Sequence, residues 1–439
     1  MPPRDRPLPR SSQPTGSPPP GLRGRSSGGT LRAVDWLVVA VFALVYLGMI
    51  LGRLPGLAAD RTGIALLGAI ILVGAGRVSP TAAWEAVDVP TMALLLGLMV
   101  VSAQLRLGGF YTEVTRRVAA AAVEPATLLA IVIGVAGGLS ALLANDIVCL
   151  AMAPLLVVGC TRRGLRPEPH LLGLACGANV GSAATLIGNP QNMLIGQRLD
   201  LSFAGYLWDG LPPALLGCGL TWAVIAAVYR RRWSGPIRAI DVEAPSFDLW
   251  QTGKGLAVVT VLLVVFVLAP VPREVAALGA AGLLLTSRRM HSRDMLGLVD
   301  WQLLVLFAGL FVVQHAIESA GLAARALAAS AGVGLDLGAP HWLFAAAVVL
   351  SNVVSNVPAV MLLLPAAEGP GAGAALALAS TLAGNLLLVG SIANLIVADQ
   401  AARLGVHIGW REHARVGIPV TLTTLAVAAG WLWLRWSGG

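Results

Sequence analysis

Long apolar runs separated by short polar stretches occupy almost the whole chain. They fall at about 35–52, 62–76, 89–105, 126–158, 171–196 and 211–229, and again at 255–270, 273–286, 300–318, 341–366, 372–398 and 414–434. Each is near the ~20 residues a helix needs to cross ~30 Å of hydrocarbon. The runs are continuous and do not alternate, which predicts helices and excludes an all-β pore. Stretches 110–123 and 322–333 mix polar and apolar residues and predict helices at the membrane interface. Residues 1–32, rich in Pro, Ser, Gly and Arg, cannot bury a core and predict a disordered tail. The first apolar run lies too far along the chain for a cleavable signal.

Polar breaks recur inside these runs. Ser140, Asn145 and Pro154 return as Ser351, Asn356 and Pro365, each 211 positions later. Val87-Asp88 returns as Val299-Asp300, and Gly188 and Asn192 return as Gly390 and Asn394. The chain is therefore duplicated, with a first repeat at 33–232, a linker at 233–253 carrying Pro236 and Pro245, and a second repeat at 254–435. If 126–158 and 341–366 enter and leave on one side, each repeat has five crossings plus a re-entrant hairpin. An odd number of crossings inverts one repeat relative to the other, the plan of many secondary transporters. The expected fold class is an all-α polytopic membrane protein with discontinuous helices.

Composition agrees: 56% of residues are hydrophobic and 12% charged, where a soluble chain carries roughly a quarter charged residues. The excess of 30 basic over 22 acidic residues sits between the spans. It reads as orientation in a bilayer rather than nucleic-acid binding. Placing 53–61, 106–117, 161–170, 230–254, 288–293 and 403–415 in the cytoplasm puts 19 Arg or Lys there and five outside, apart from six arginines in the tail. The same topology leaves that tail outside. Cys149, Cys160, Cys176 and Cys218 have no paired spacing and read as small buried residues.

Backbone that leaves a helix within lipid survives only where it is buried or lines a cavity. Ser140, Asn145, Ser351, Ser355 and Asn356 place short oxygen-bearing side chains at the hairpin breaks. Gly188-Asn189-Pro190 cannot continue a helix, because Pro190 lacks a donor and disfavours helical geometry at Asn189. The matching break is Gly390-Ser391, with Asn394 beyond it. Oxygen cages suit hard cations, and opposed helix N-termini suit an anion. Asp146 must face a cavity, a partner or a bound proton, since a charge at the bilayer centre costs roughly 2.5–3.5 kcal/mol. Val357 takes its place in the second repeat. No nucleophile-elbow, Walker, dinucleotide or Cys/His metal motif is present, so an enzyme is not expected.

Ala144-Asn145-Asp146 with Pro154, Thr185-Leu-Ile-Gly188-Asn-Pro-Gln-Asn192, and Ser355-Asn356 with Pro365 resemble the ion transporter superfamily over about residues 35–435. That group includes divalent anion/sodium symporters, citrate transporters, arsenite permeases and sodium/proton antiporters. The resemblance implies a scaffold domain and a transport domain that moves as an elevator in the cytoplasmic membrane. It implies a coupling ion, Na⁺ or H⁺, at Ser140, Asn145, Gly188, Ser351, Asn356 and Gly390, to which Asp146, as a buried acid, adds a group for proton coupling. It implies a small anionic or metalloid substrate at Asn145, Asp146, Asn189, Pro190, Ser355 and Asn356, with Thr185, Ser391 and Asn394 alongside. A homodimer without an organic cofactor is expected. Ala144, Asp146 and Val357 stand where the symporters carry Ser and Thr, and the Asn-Asp pair looks more like the arsenite branch. Ion-coupled anion transport is the expected function, with metalloid efflux or Na⁺/H⁺ exchange as the alternative.

Overall fold

The computed structural model describes residues 35–52, 58–230, 233 and 247–436. The tail at 1–32 and most of the 233–253 linker lie outside the described residues. The first half runs α1 (Trp36–Leu51), α2 (Arg61–Gly74), α3 (Pro80–Ala86), α4 (Val89–Leu107), α5 (Phe110–Ala120), α6 (Pro125–Leu142), α7 (Asn145–Arg162), α8 (Pro167–Ser182), α9 (Pro190–Arg198) and α10 (Phe203–Tyr229). The second half has the same ten-helix order. It runs α11 (Leu249–Leu268), α12 (Arg273–Leu285), α13 (Ser292–Leu296), α14 (Trp301–Ser319), α15 (Leu322–Gly332), α16 (Pro340–Val354), α17 (Asn356–Leu363), α18 (Ala372–Ala383), α19 (Ile392–Arg403) and α20 (Trp410–Trp436). Among the described residues seven helices, α4, α6, α7, α10, α11, α14 and α20, are long and apolar enough to cross a membrane. Helices α1, α2, α16 and α18, and α17 with the turn after it, are shorter and apolar.

Local chemistry sets the helix starts. The duplicated Val-Asp pairs are caps: Asp88 Oδ1 accepts from the Thr91 N–H at 2.8 Å, and Asp300 Oδ1 from the Leu303 N–H at 2.9 Å. Such a carboxylate satisfies a donor the helix itself cannot. Proline opens α6, α8, α9 and α16, a position where its missing N–H costs nothing. Helices α3 and α13 are seven and five residues long, too short for periodicity to announce them.

The hairpin tips fall where the polar residues cluster. Helices α6 and α7 are joined by Leu143-Ala144, whereas α16 and α17 are joined by Ser355 alone, at φ 76°. A single linking residue must take the whole reversal, and Ser355 does so in a region sparsely used by non-glycine residues. Pro154 does not mark a break as its repetition suggested; it lies inside α7. Its mate Pro365 lies in the 3₁₀ turn Leu364–Ala366 that follows α17.

Helices exchange partners between the halves. Helix α4 packs on α12 and α14 on α2, while α6 packs on α8, α16 on α18, and α10 on α20. The exchange extends to single atoms. A Cβ on Gly97 would lie 2.6 Å from the carbonyl carbon of Ala277, and one on Gly309 would lie 2.8 Å from that of Ala65. These four residues form two sequence-equivalent pairs, and small residues are what allow membrane helices this close. Gly97→Val and Gly309→Val are therefore expected to cost about 1–3 kcal/mol each by overpacking. Gly279→Ala, with no atom within 4 Å of the added carbon, is expected to leave Tm unchanged. Thermal unfolding in detergent checks this, and equal Tm values for all three variants would contradict the packing.

Candidate functional site

Two long apolar helices break in the core. Helix α8 ends at Ser182 and the chain turns through to Asn189 before α9; α18 ends at Ala383 and the chain turns through Leu388–Gly390 before α19. The unwound groups find partners across the two halves. Asn189 Nδ2 donates to Thr381 Oγ1 at 3.2 Å, and Thr381 Oγ1 donates to Asn192 Oδ1 at 3.1 Å. In the other direction Ser391 Oγ donates to Asn179 Oδ1 at 2.9 Å, and Asn179 Nδ2 donates to Asn394 Oδ1 at 3.0 Å. Asn179 and Thr381 are repeat mates, as are Asn189 and Ser391, and Asn192 and Asn394. The same two-step bond is thus made twice, each half's break tied to the other half's helix. Asn192 and Asn394 also each donate to the carbonyl of the residue seven before, Thr185 at 3.0 Å and Leu387 at 3.3 Å.

The hairpins clasp the glycines of these breaks. The Asn145 N–H donates to the Gly188 carbonyl at 3.3 Å. A Cβ on Gly188 would sit 2.2 Å from the Ser182 carbonyl oxygen and 2.8 Å from that of Ser140. In the second half the Asn356 amide, turned so that its nitrogen rather than its oxygen faces the two carbonyls, donates to Ser380 at 3.1 Å and Gly390 at 3.2 Å. A Cβ on Gly390 would sit 3.0 Å from the Gly384 carbonyl oxygen and 3.1 Å from Asn352 Oδ1. Asn145 Nδ2 donates to Asn179 Oδ1 at 3.1 Å, so the first hairpin joins the crossed network directly.

Four buried oxygens beside these glycines have no hydrogen-bond partner among the described residues: Ser140 Oγ and Asn145 Oδ1 in one hairpin, Ser351 Oγ and Asn352 Oδ1 in the other. An unsatisfied buried oxygen costs roughly 1–3 kcal/mol, and here the cost falls on both hairpins, at equivalent positions for Ser140 and Ser351.

Between the tips lies a chamber of about 30 Å³, lined by Asn145, Asp146, Pro190, Gln191, Ser355, Asn356, Val357, Ser391, Ile392 and Leu303. Apart from Leu303, these residues are the first turns or caps of α7, α9, α17 and α19. Four positive helix ends therefore point at one small space. Helices α7 and α17 have no side-chain cap, which leaves N–H groups at those ends for a guest.

Beside the chamber lies a vestibule of about 210 Å³, and the two have three wall residues in common, Asp146, Pro190 and Leu303. The vestibule adds Arg106 and Asp300 to Asp146 in otherwise apolar walls.

The expected site residues divide by position. Asn145, Asp146, Pro190, Ser355, Asn356 and Ser391 line the chamber. Asn189, Thr185 and Asn394 do not; they are buried and tie the breaks together, Thr185 through the Ala141 carbonyl. Ser140, Ser351, Gly188 and Gly390 stand behind the tips. Sequence reasoning passed over Asn179, Thr381, Asn385 and Gln191. Asn179 Nδ2 also donates to Asn385 Oδ1 at 2.8 Å, and Gln191 Nε2 to Thr381 Oγ1 at 3.3 Å. Asn179 and Thr381 carried a usable signal, as polar residues at the repeat offset inside apolar runs, but the two are of unlike type.

Comparison with known proteins agrees with this architecture. The sequence profile of a citrate transporter family matches residues 45–381. An uncharacterised transporter of Mycobacterium tuberculosis is 31% identical over 414 residues, covering 86% of this chain and 94% of its own. A silicon efflux transporter of Oryza sativa subsp. japonica is 27% identical over 461 residues, covering 88% and 95%. The crystal structure of the Alcanivorax borkumensis YdaH transporter, described as having an unusual topology, superposes with a TM-score of 0.58 at 15% identity over 92% of this chain and 97% of that one. With broken, duplicated helices in an apolar chain and a family profile spanning most of its length, the protein belongs to the citrate transporter family of multi-pass membrane transporters.

Proposed function

We propose that the protein is an ion-coupled secondary transporter of a small anion across the cytoplasmic membrane, working by alternating access. The observation that carries this reading is the convergence of four helix N-termini on one chamber. Uncapped N–H groups and positive dipole ends bind anions without a basic side chain. Amide and hydroxyl groups of Asn145, Gln191, Ser355, Asn356 and Ser391 then orient the guest.

Coupling follows from the four unpartnered oxygens. Ser140 and Asn145 at one tip, with Ser351 and Asn352 at the other, offer hydroxyl and carbonyl oxygens to a hard cation such as Na⁺. A cation there neutralises the anion's charge before the loaded unit moves. One net charge crossing 100 mV supplies about 2.3 kcal/mol. The two repeats are read as inverted, with the hairpins and broken helices forming the moving unit of an elevator. By the basic-residue bias, the vestibule at Arg106 and Asp300 faces the cytoplasm.

A second reading is favoured by Asp146. No basic side chain lines the chamber and this carboxylate does, so a neutral hydroxylated weak acid of a metalloid would meet less repulsion than an anion. The name of the rice relative points the same way. A thermal-shift screen of the purified protein against sulfate, phosphate, citrate, arsenite and silicic acid, with and without Na⁺, separates the two readings. Anion stabilisation that requires Na⁺ supports the first, and stabilisation by the neutral acids alone supports the second.

Two variants sharpen the test. Ser140→Ala and Ser351→Ala are each expected to raise the half-saturating Na⁺ concentration roughly tenfold, about 1.4 kcal/mol; an unchanged value in both would remove the cation assignment. Asp146 repels an anion only when ionised, so anion-induced stabilisation should weaken as pH rises in the native protein. It should become flat with pH in Asp146→Asn, and a pH profile that survives this substitution would exclude the role.

A further inference from the structure

The site has a cavity on either side, and the repeat relates the two. Met99, Arg106 and Leu150 line the first vestibule, and their repeat mates Phe311, Glu318 and Met361 line a second cavity of about 320 Å³. The two cavities sit differently against the chamber. The first vestibule shares Asp146, Pro190 and Leu303 with the chamber's wall, while the second cavity shares no lining residue with it.

An ion pair stands on the side of the unshared cavity. Arg198 Nη1 lies 3.4 Å from Asp88 Oδ2, joining the end of α9 to the start of α4, and α4 packs along α9. The repeat supplies the same two residues on the other side. Asp300 is the mate of Asp88, and both cap their helices. Arg403 is the counterpart of Arg198 at the helix end, three residues beyond the 202-residue offset (which gives Gln400) because α19 has twelve residues and α9 nine: each is the last residue of its helix and precedes a leucine. The residue after that leucine has positive φ in both cases, Asp200 at 46° and Gly405 at 80°. Arg403 is instead bound to Asp399 at 2.8 Å in a pair 69% and 54% exposed, a weak surface contact that is easily exchanged. Asp300 lines the first vestibule.

We infer that Asp300 and Arg403 form the latch that closes the first vestibule when the chamber opens to the second, and that Asp88–Arg198 is broken in that state. The two ion pairs alternate, one per access state. This rests on the alternating-access reading above.

Cysteine cross-linking in native membranes tests the latch without knowledge of the substrate. In a Cys218→Ser background, where the remaining cysteines are buried, the pair Asp88→Cys with Arg198→Cys reports the state described here. The pair Asp300→Cys with Arg403→Cys reports the other. A short bifunctional thiol reagent is expected to link both pairs. Asp88→Asn keeps the helix cap but removes the charge, and should raise the rate of 300–403 linking about fivefold, the scale of one part-exposed ion pair. Absence of 300–403 linking where 88–198 linking proceeds, or a rate indifferent to Asp88→Asn, overturns the inference. If the latch alone is wrong, the Na⁺ and anion effects on Tm persist; if the chain is not a carrier, those effects fail as well.

Discussion

Everything at the site depends on a crossed set of hydrogen bonds between Asn179 and the break before α19, and between Thr381 and the break before α9. A chain that unwinds inside lipid exposes donors and acceptors that water cannot reach, each costing several kcal/mol. Here each break is satisfied partly within its own half and partly by a side chain in the helical segment before the opposite break, which ties the two broken helices together. The small chamber exists because this network fixes both unwound turns and the hairpin tips then close onto their glycines.

The network also explains the division of labour among polar residues that look alike in sequence. Asn189, Asn192 and Asn394 are spent on backbone and cross-half bonds and are buried at 0–1% exposure. Asn145 is bonded on one side only: its nitrogen joins the network and its oxygen does not. Partial satisfaction in a buried polar network is costly. That it recurs at Ser351 and Asn352 in the other hairpin argues that the cost is kept for a purpose rather than left by chance. Asp146 breaks the symmetry. It sits in the first turn of α7, where the helix dipole favours negative charge, while Val357 at the same place in α17 leaves that wall apolar.

Much of this was legible in the sequence because duplication writes each structural need twice. The matching Val-Asp pairs became caps, the paired Asn residues open the helices that leave the hairpin tips with the paired Ser residues just behind, and Gly188 and Gly390 became the points those hairpins grip. What escaped was chemistry that differs between copies. Asn179 and Thr381 do the same work with unlike side chains, so neither flagged the other. Pro154 and Pro365 are alike, yet one lies within α7 and the other in a 3₁₀ turn, because a proline's effect depends on how the surrounding turn is packed. The cavities could not be read at all, since their walls come from helices distant in the chain.

The close contacts of the two halves, Gly97 on Ala277 and Gly309 on Ala65, are equal, as a symmetric frame requires. The contacts between frame and broken helices are unequal: α9 is bound to α4 by an ion pair, whereas the carboxylate at the start of α14 faces open space. A duplicated sequence has no reason to prefer one side, because the residues for either arrangement are encoded twice. On the proposed alternating-access reading only one arrangement is occupied at a time, since hydrogen bonds tie the broken helices into one unit. For the Asp88 and Asp300 caps the asymmetry is therefore of position rather than of sequence, and a near-symmetric frame holding an asymmetrically placed core is what the proposed alternation of access requires.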